Sequence, residues 1–564
     1  MAVFFSRYRI LKVFLCSVSF VLFARAVDFM LVSLRWPLSI CLDASLLRFE
    51  SYSILGGRWP WRDIAVTDLP VTHFIHIAGL WIFGKDDIGF RLFDTAWVFF
   101  LGGIAFFYLR RYSKIAAWLG FAVVLTLSAE AAPYGAFQRE TLMLPLWTGG
   151  LLIAEEMEKA EGKHLLLYGF FFGLLVVLAC FIKPTSLLLF AMITGKYINI
   201  KREGDFIRQA GALTGSVAAG LLLAVLLVMF PLLIAGVIPA FPFSWIEQSL
   251  IFQTVYGHTT ISRSIPVLIA RLITFRPENW FLPLNMGVET PVDTGHLTLF
   301  HVFSLTLALF FMRVRAPIFG FLLAGLLSYL LQRRGFAYHL YPVWFGLNLA
   351  MAVAVAGLYL LLSGGKENSF LVIPSFFVGH RFQDRIRPVL LSIVVLVGFS
   401  ALYRQHRSLK AYTGTGLYDR RNPGRSVDFL TVEEIGHIAG ELRRQGRTSI
   451  TIQTFEDSSI ALGSVMKYDL SFVSAYPVEY AFWEGSKWRT EARERLMLAL
   501  NKNNPDIIAY DAYSELSPER RRLDGFPQLK EFLEKKYRRN SVVHERTGGD
   551  YWIYIRSDAA GRGN

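Results

Sequence analysis

A few ionisable side chains sit where apolar runs of this chain end. They are Asp43 and Glu50, Asp63 and Asp68, the adjacent pair Arg139 and Glu140, Lys183, Arg333 and Arg334, and His339, with Tyr338 beside the last. Arginine can grip a phosphate through two parallel hydrogen bonds, and lysine meets one as a point charge. A carboxylate near that phosphate can take the proton of an attacking hydroxyl as a general base. Arg139, Lys183, Arg333, Arg334 and His339 therefore suit the phosphate of an anionic, lipid-linked donor. Asp43 is the preferred base because it follows the first apolar run, at the height where a lipid phosphate would lie. Asp63 is its rival. Glu50, Asp68, Glu140 and Tyr338 would complete the polar wall of the same cavity. Each also has a plainer reading: a helix cap for Asp43, an interfacial pair for Arg139 and Glu140, and a snorkelling side chain for Lys183.

What must position these groups follows from composition. Of 564 residues, 54% are hydrophobic and only 18% charged, below the roughly 25% of a soluble protein. The charge is unevenly spread. Residues 1–404 carry 33 Lys and Arg and 22 Asp and Glu, whereas residues 405–564 carry 25 and 22. The first stretch has the composition of a membrane domain and the second that of a soluble one. A helix needs about 20 apolar residues to cross the hydrocarbon. Runs of that kind fall at 11–34, 88–109, 115–131, 141–155, 164–182, 185–199, 208–235, 297–312, 316–332, 339–362 and 387–404, about eleven in all. The first is too long and too polar, at Arg25 and Asp28, for a cleaved signal.

Orientation comes from loop charge. Arg7, Arg9 and Lys12, then Arg110, Arg111 and Lys114, then Lys159 and Lys163, then Lys196, Lys201, Arg202 and Arg208, and later Arg313 and Arg315, fall on alternate loops. That alternation is expected of cytoplasmic segments. The N-terminus is then cytoplasmic, and an odd number of spans puts the tail outside, in the periplasm of a Gram-negative cell. Two outer segments are long, 36–87 and 236–296. The first contains Pro70–Phe83, which is short for a span and better suited to an interfacial helix; the second would lie on the membrane surface like a lid.

The tail, 405–564, reads as a small α/β domain. Residues 431–445 and 491–500 have helical periodicity, while 448–453, 506–510 and the alternating 550–556 read as strands. No Gly-rich phosphate loop or nucleophile elbow occurs in it. The formal charge of +14 lies mostly in loops between apolar runs, not on one soluble face, so a nucleic-acid partner is excluded. Cys16, Cys41 and Cys180 are far apart and make no disulfide framework. His73 and His76 have helical metal-ligand spacing but no third ligand, so a divalent metal is possible and not indicated.

The charges left over once topology is satisfied cluster on the outer side, and several short stretches there resemble a known pattern. They are LDASLL (42–47), GGRWPWRDIAVTDLP (56–70), FGKDDIGFRLFD (83–94), AFQRETLMLPL (136–146), FIKPTSLL (181–188) and QRRGFAYHLYPV (332–343). In order and placement the chain resembles the GT-C superfamily of membrane glycosyltransferases, the group of family 39-type protein O-mannosyltransferases and the lipid A aminoarabinose transferase. The resemblance implies a GT-C-like transmembrane domain over 1–404, a polyprenyl-phosphate sugar as donor, and transfer with inversion to a glycan, lipid or protein acceptor. It further implies Asp43 as base and Arg139, Lys183 and the Arg333–His339 segment as phosphate holders. Many members carry Asp-Glu in the first loop, whereas Asp43 is followed by Ala44. A transporter or flippase of lipid-linked saccharides is the competing reading, and it would more often show inverted repeats and broken helices at mid-membrane.

Overall fold

The computed structural model describes residues 2–35, 42–131, 137–157, 160–197, 206–255, 299–312, 316–332, 337–363, single positions within 391–402, then 430–456, 459–477, 482, 489–513, 523–544 and 550–558. The chain divides into two compact units. One comprises 1–35, 94–227 and 259–422; the other comprises 36–93, 228–258 and 423–564.

The first unit is helical. Helices Ala2–Arg35, Lys114–Ala131, Arg139–Met157, Gly162–Cys180, Leu187–Tyr197, Leu299–Phe311, Ala316–Gln332 and Tyr341–Ser363 lie in it, as do most of Asp87–Arg110 and Phe206–Ile234. These cover ten of the eleven apolar runs; the eleventh, 387–404, lies largely outside the described residues. Among the described residues, five helices are long and apolar enough to cross a membrane: Ile10–Asp28, Asp87–Arg110, Gly162–Cys180, Gly211–Ile234 and Tyr341–Leu362. Lys114–Thr126 and Ile318–Gln332 are apolar but shorter. Leu222, Leu226 and Leu227 are exposed, as suits side chains that would face lipid tails.

With no water to expel, helices in lipid associate by close packing of small residues. Gly173 and Gly220 do this here. A methyl group on Gly173 would stand 2.2 Å from the Val217 carbonyl oxygen, and one on Gly220 would stand 1.9 Å from that of Phe170. Backbone therefore meets backbone where Gly162–Cys180 passes Phe206–Ile234. Tyr341–Ser363 is the most enclosed helix, with Trp344, Phe345, Asn348 and Ala350–Ala356 all buried.

The second unit is built on a five-stranded sheet in the order β2-β1-β3-β5-β4. The strands are β1 (Thr451–Phe455), β2 (Ser471–Phe472), β3 (Ile507–Tyr513), β4 (Tyr537–His544) and β5 (Asp550–Arg556). β2, β1 and β3 run parallel; β5 lies antiparallel to β3 and β4. Helices Arg489–Asn503 and Pro527–Lys536 bury Leu496, Leu500, Leu529 and Phe532 with Ile508 and Tyr510 of the sheet. Along β5 the alternation is direct: Tyr551, Ile553 and Ile555 are buried and their neighbours half-buried.

Residues 36–87 belong to this unit. They contain helix Leu42–Leu55 and helix Pro70–Phe83, which pack on each other. Between them, Arg58 donates from Nη1 to the Phe472 carbonyl (2.5 Å) and from Nη2 to that of Ser474 (2.7 Å). The Ala65 N–H adds a bond to the Ala475 carbonyl at 2.8 Å. The GGRWPWRD stretch is thus pinned along the chain that continues from β2. Pro70 supplies the preset φ at the start of its helix, and at the other end Trp81 and Ile82 are exposed.

Candidate functional site

In the first unit, three of the expected residues converge at helix ends. Glu140 stands in the first turn of Arg139–Met157, where the helix dipole favours an acid. Lys183 follows the C-terminus of Gly162–Cys180. Phe181 N–H and Lys183 N–H still bond back to the Val177 and Ala179 carbonyls, but Pro184 holds Lys183 extended, at φ −152° and ψ 117°. The chain then turns through a single 3-10 turn, Pro184–Ser186. That turn is fastened on two sides: the Trp147 indole donates to Ser186 Oγ at 3.0 Å, and the Thr185 and Ser328 hydroxyls lie 2.7 Å apart. His339 comes from the turn Ala337–Leu340 that leads into Tyr341–Ser363.

The three side chains meet on one oxygen. Lys183 Nζ donates to Glu140 Oε1, and His339 Nε2 lies 3.6 Å from the same atom. Glu140 is 1% exposed, His339 2% and Lys183 6%. Charges so buried persist only when paired, so Glu140 compensates Lys183 in the resting protein. Arg139, next in sequence to Glu140, is half-buried. Arg333, Arg334 and the Tyr338 side chain lie outside the described residues.

In the second unit, Asp43 occupies the first turn of Leu42–Leu55 and is half-buried. Glu50, two turns on, is buried with its Oε2 3.6 Å from His73 Nδ1. Trp61 covers His73 edge-on, with ring centroids 5.4 Å apart, and its indole donates to the Asp68 carbonyl at 3.2 Å. Asp68 itself is buried. Asp63 has a different surrounding. It accepts the Trp59 N–H at 2.8 Å and the Arg62 guanidinium at 2.7 Å. Partial burial pushes its carboxyl up, but Arg62 and the Trp59 N–H outweigh that and hold it below the ordinary value. Asp63 thereby closes the Trp59–Asp63 turn.

His73 and His76 are both buried. Among the described residues, no three His, Cys, Asp or Glu side chains converge as a metal ion would require. No step below uses one.

Sequence reasoning did not single out the buried cations Arg48 and Arg91, each 2% exposed. Arg91 ends the FGKDDIGFR stretch, whose Gly89 packs so tightly that a methyl group would stand 2.2 Å from the Phe83 carbonyl. The spacing of that stretch was the only signal that could have found it.

No protein-family model and no curated protein sequence matches the chain. Solved structures do match it. A crystal structure of ArnT from Cupriavidus metallidurans bound to undecaprenyl phosphate aligns over 98% of this chain and 99% of its own, at 11% identity and a TM-score of 0.54. The apo form of ArnT from the same organism aligns over 96% and 98%, at 11% identity and a TM-score of 0.55. The chain therefore shares, over nearly its whole length, the fold of ArnT.

Proposed function

We propose that this chain is an inverting membrane glycosyltransferase that moves a sugar from a polyprenyl-phosphate donor to a glycan, lipid or protein acceptor on the outer face of the cytoplasmic membrane. In this reading it spans the membrane about eleven times among the membrane lipids, with a cytoplasmic N-terminus and a periplasmic tail. The observation that carries it is the buried Glu140–Lys183–His339 cluster at helix ends, in a chain whose fold is that of a protein crystallised with undecaprenyl phosphate.

In the reaction, an acceptor hydroxyl oxygen attacks the anomeric carbon as the bond from that carbon to the phosphate oxygen breaks. The hydroxyl proton passes to Asp43, and the polyprenyl phosphate leaves with the bonding pair. The leaving phosphate gains one negative charge, so groups that hold it more tightly as it departs lower the barrier. Lys183 supplies one positive charge, already balanced by Glu140. Arg139, with Arg333 or Arg334, supplies the remainder, and His339 donates to a phosphate oxygen. Base assistance from Asp43 contributes about 10²–10⁴-fold.

The test is to incubate the purified full-length protein with a panel of polyprenyl-phosphate sugars and an envelope extract as acceptor. Donor consumption with release of polyprenyl phosphate is expected, and it should be lost in Asp43→Asn. Binding of every donor with no release of polyprenyl phosphate under any condition would favour a carrier of lipid-linked saccharides and overturn the enzyme.

A further inference from the structure

The tail takes no part in the proposed reaction, yet the helix that carries Asp43 is built into it, both lying in the second unit. β2 is an outer strand of the sheet. The Ser471 and Val473 N–H groups donate to the Ile450 and Ile452 carbonyls at 2.9 and 3.1 Å. By the alternation of a strand, the Phe472 carbonyl between them faces away from the sheet. A bare outer edge invites pairing with another chain. Here the segment that follows helix Leu42–Leu55 takes it: Arg58 holds the Phe472 and Ser474 carbonyls, and the Ala65 N–H holds that of Ala475.

The helix itself is seated through its side chains. Phe49 and Phe472, both buried, meet edge-on with ring centroids 5.1 Å apart. Leu46 packs against the core that Leu496, Leu500 and Phe532 form in the tail. The Tyr52 hydroxyl donates to Asp469 Oδ1 at 3.1 Å, and Lys85 Nζ donates to the same oxygen. Leu46, Phe49 and Tyr52 recur at a spacing of three and so make one ridge of the helix. Asp43 is the position that begins this ridge, one turn ahead of Leu46.

We propose that the tail positions the base. The ridge seated on the β2 edge through Phe472 sets where the Asp43 carboxylate stands against the acceptor hydroxyl, which makes Phe472 a positioning residue acting through Asp43. This rests on the reading of Asp43 as general base. Such a base must stand within about 2.6–3.2 Å of the hydroxyl whose proton it takes, and a misplacement of about 1 Å can cost 10²-fold in rate. The tail thereby governs turnover and leaves the grip on the donor to other residues.

The test is a double-mutant cycle on the purified full-length protein, reading polyprenyl-phosphate release and donor affinity at a temperature where each variant is folded. Phe472→Ala empties the seat of Phe49 and should cut turnover by about 10- to 100-fold with donor affinity kept. Phe472→Leu retains most of the apolar volume and should restore most of the rate. In the Asp43→Asn background Phe472→Ala should cost nothing further, because the group it positions is gone. Asp469→Gly tests the same ridge without touching the core: glycine accepts the φ of +52° found there, and only the carboxylate is lost. It should lower turnover about threefold, again only where Asp43 is present, so the cycle closes even if Phe472→Ala does not fold. Equal losses in both backgrounds, donor affinity falling together with turnover, or full turnover in both tail variants would each overturn the inference and leave Asp43 as the base. Full turnover by Asp43→Asn itself would remove the base, and the positioning role with it.

Discussion

Replacing Lys183 by methionine separates two consequences that the buried cluster ties together. The substitution keeps the length and apolar stem of the side chain and removes only its charge. Glu140, 1% exposed, is then left as a buried carboxylate with the His339 ring, Nε2 at 3.6 Å, still beside it. Breaking a buried pair from one side costs about 3–5 kcal/mol. The full chain in detergent should unfold at a clearly lower temperature, and a polyprenyl-phosphate sugar should bind roughly 30-fold more weakly for the loss of one charge-assisted contact worth about 2 kcal/mol. The double variant Lys183→Met, Glu140→Gln removes the orphaned charge. It should regain most of the thermal stability and none of the donor affinity. If the double variant binds donor as well as the wild type does, Lys183 serves only to neutralise Glu140, and the phosphate-holding role is wrong. An unchanged melting temperature in the single variant would show instead that the pair is not buried.

Further outcomes follow from other parts of the chain. Asp43→Asn should cut transfer by about 10²–10⁴-fold with donor binding retained, whereas Asp63→Asn should chiefly loosen the Trp59–Asp63 turn, visible as a lower melting temperature; the reverse pattern would make Asp63 the base. A reporter fused after Asn564 should be active only in the periplasm, and cytoplasmic activity would invert the topology. Arg58→Ala frees the Phe472 and Ser474 carbonyls and should destabilise the second unit by about 2–3 kcal/mol, measured by chemical unfolding; a loss below about 0.5 kcal/mol would mean that Ala65 and the apolar contacts suffice.

The pH dependence of the second unit has a worked sign. Burial raises the Glu456 carboxyl from 4.5 to about 7, against the Ala461 and Leu462 N–H groups and the Tyr551 hydroxyl, which favour the charged form, and with a further upward push from Asp511. Between those values the folded state binds more protons than the unfolded state. Stability contributed by this group is therefore complete below about pH 4.5 and is lost as pH rises towards 7, by roughly 3 kcal/mol in all. Glu456→Gln should flatten that slope in chemical unfolding followed between pH 5 and 8. A slope between pH 5 and 8 that Glu456→Gln leaves unchanged would place the carboxylate in its charged form throughout.

Legibility in the sequence tracked the distance over which a signal acts. Helices of the first unit stand out because each apolar run carries its own evidence, and β5 stands out because burial alternates residue by residue along Asp550–Arg556. β4 does not. Its sequence YRRNSVVH has no period of two, and a register shift between Arg539 and Ser541 breaks the pairing that would have imposed one. Helix Leu42–Leu55 lies within the long segment 36–87 and is not among the apolar runs, because it carries Asp43, Arg48 and Glu50; Arg48 and Glu50 are buried there by partners 20 or more residues away. The same holds at the site. Glu140 and Lys183 were each visible as charges that topology leaves over, but their pairing joins positions 43 residues apart and depends on Pro184 ending one helix where another begins. That pairing changes the chemistry of the site. Read singly, Lys183 is an uncompensated cation; paired with Glu140 it is already compensated, so in the proposed reading the net attraction for a donor phosphate falls to Arg139 and its fellow arginines. In the proposed reading Arg139→Gln should weaken donor binding at least as much as Lys183→Met does and destabilise the protein less, because it leaves the Lys183–Glu140 pair intact. Donor titration and thermal unfolding of the two variants side by side decide the matter, and equal destabilisation by both would refute this division of labour.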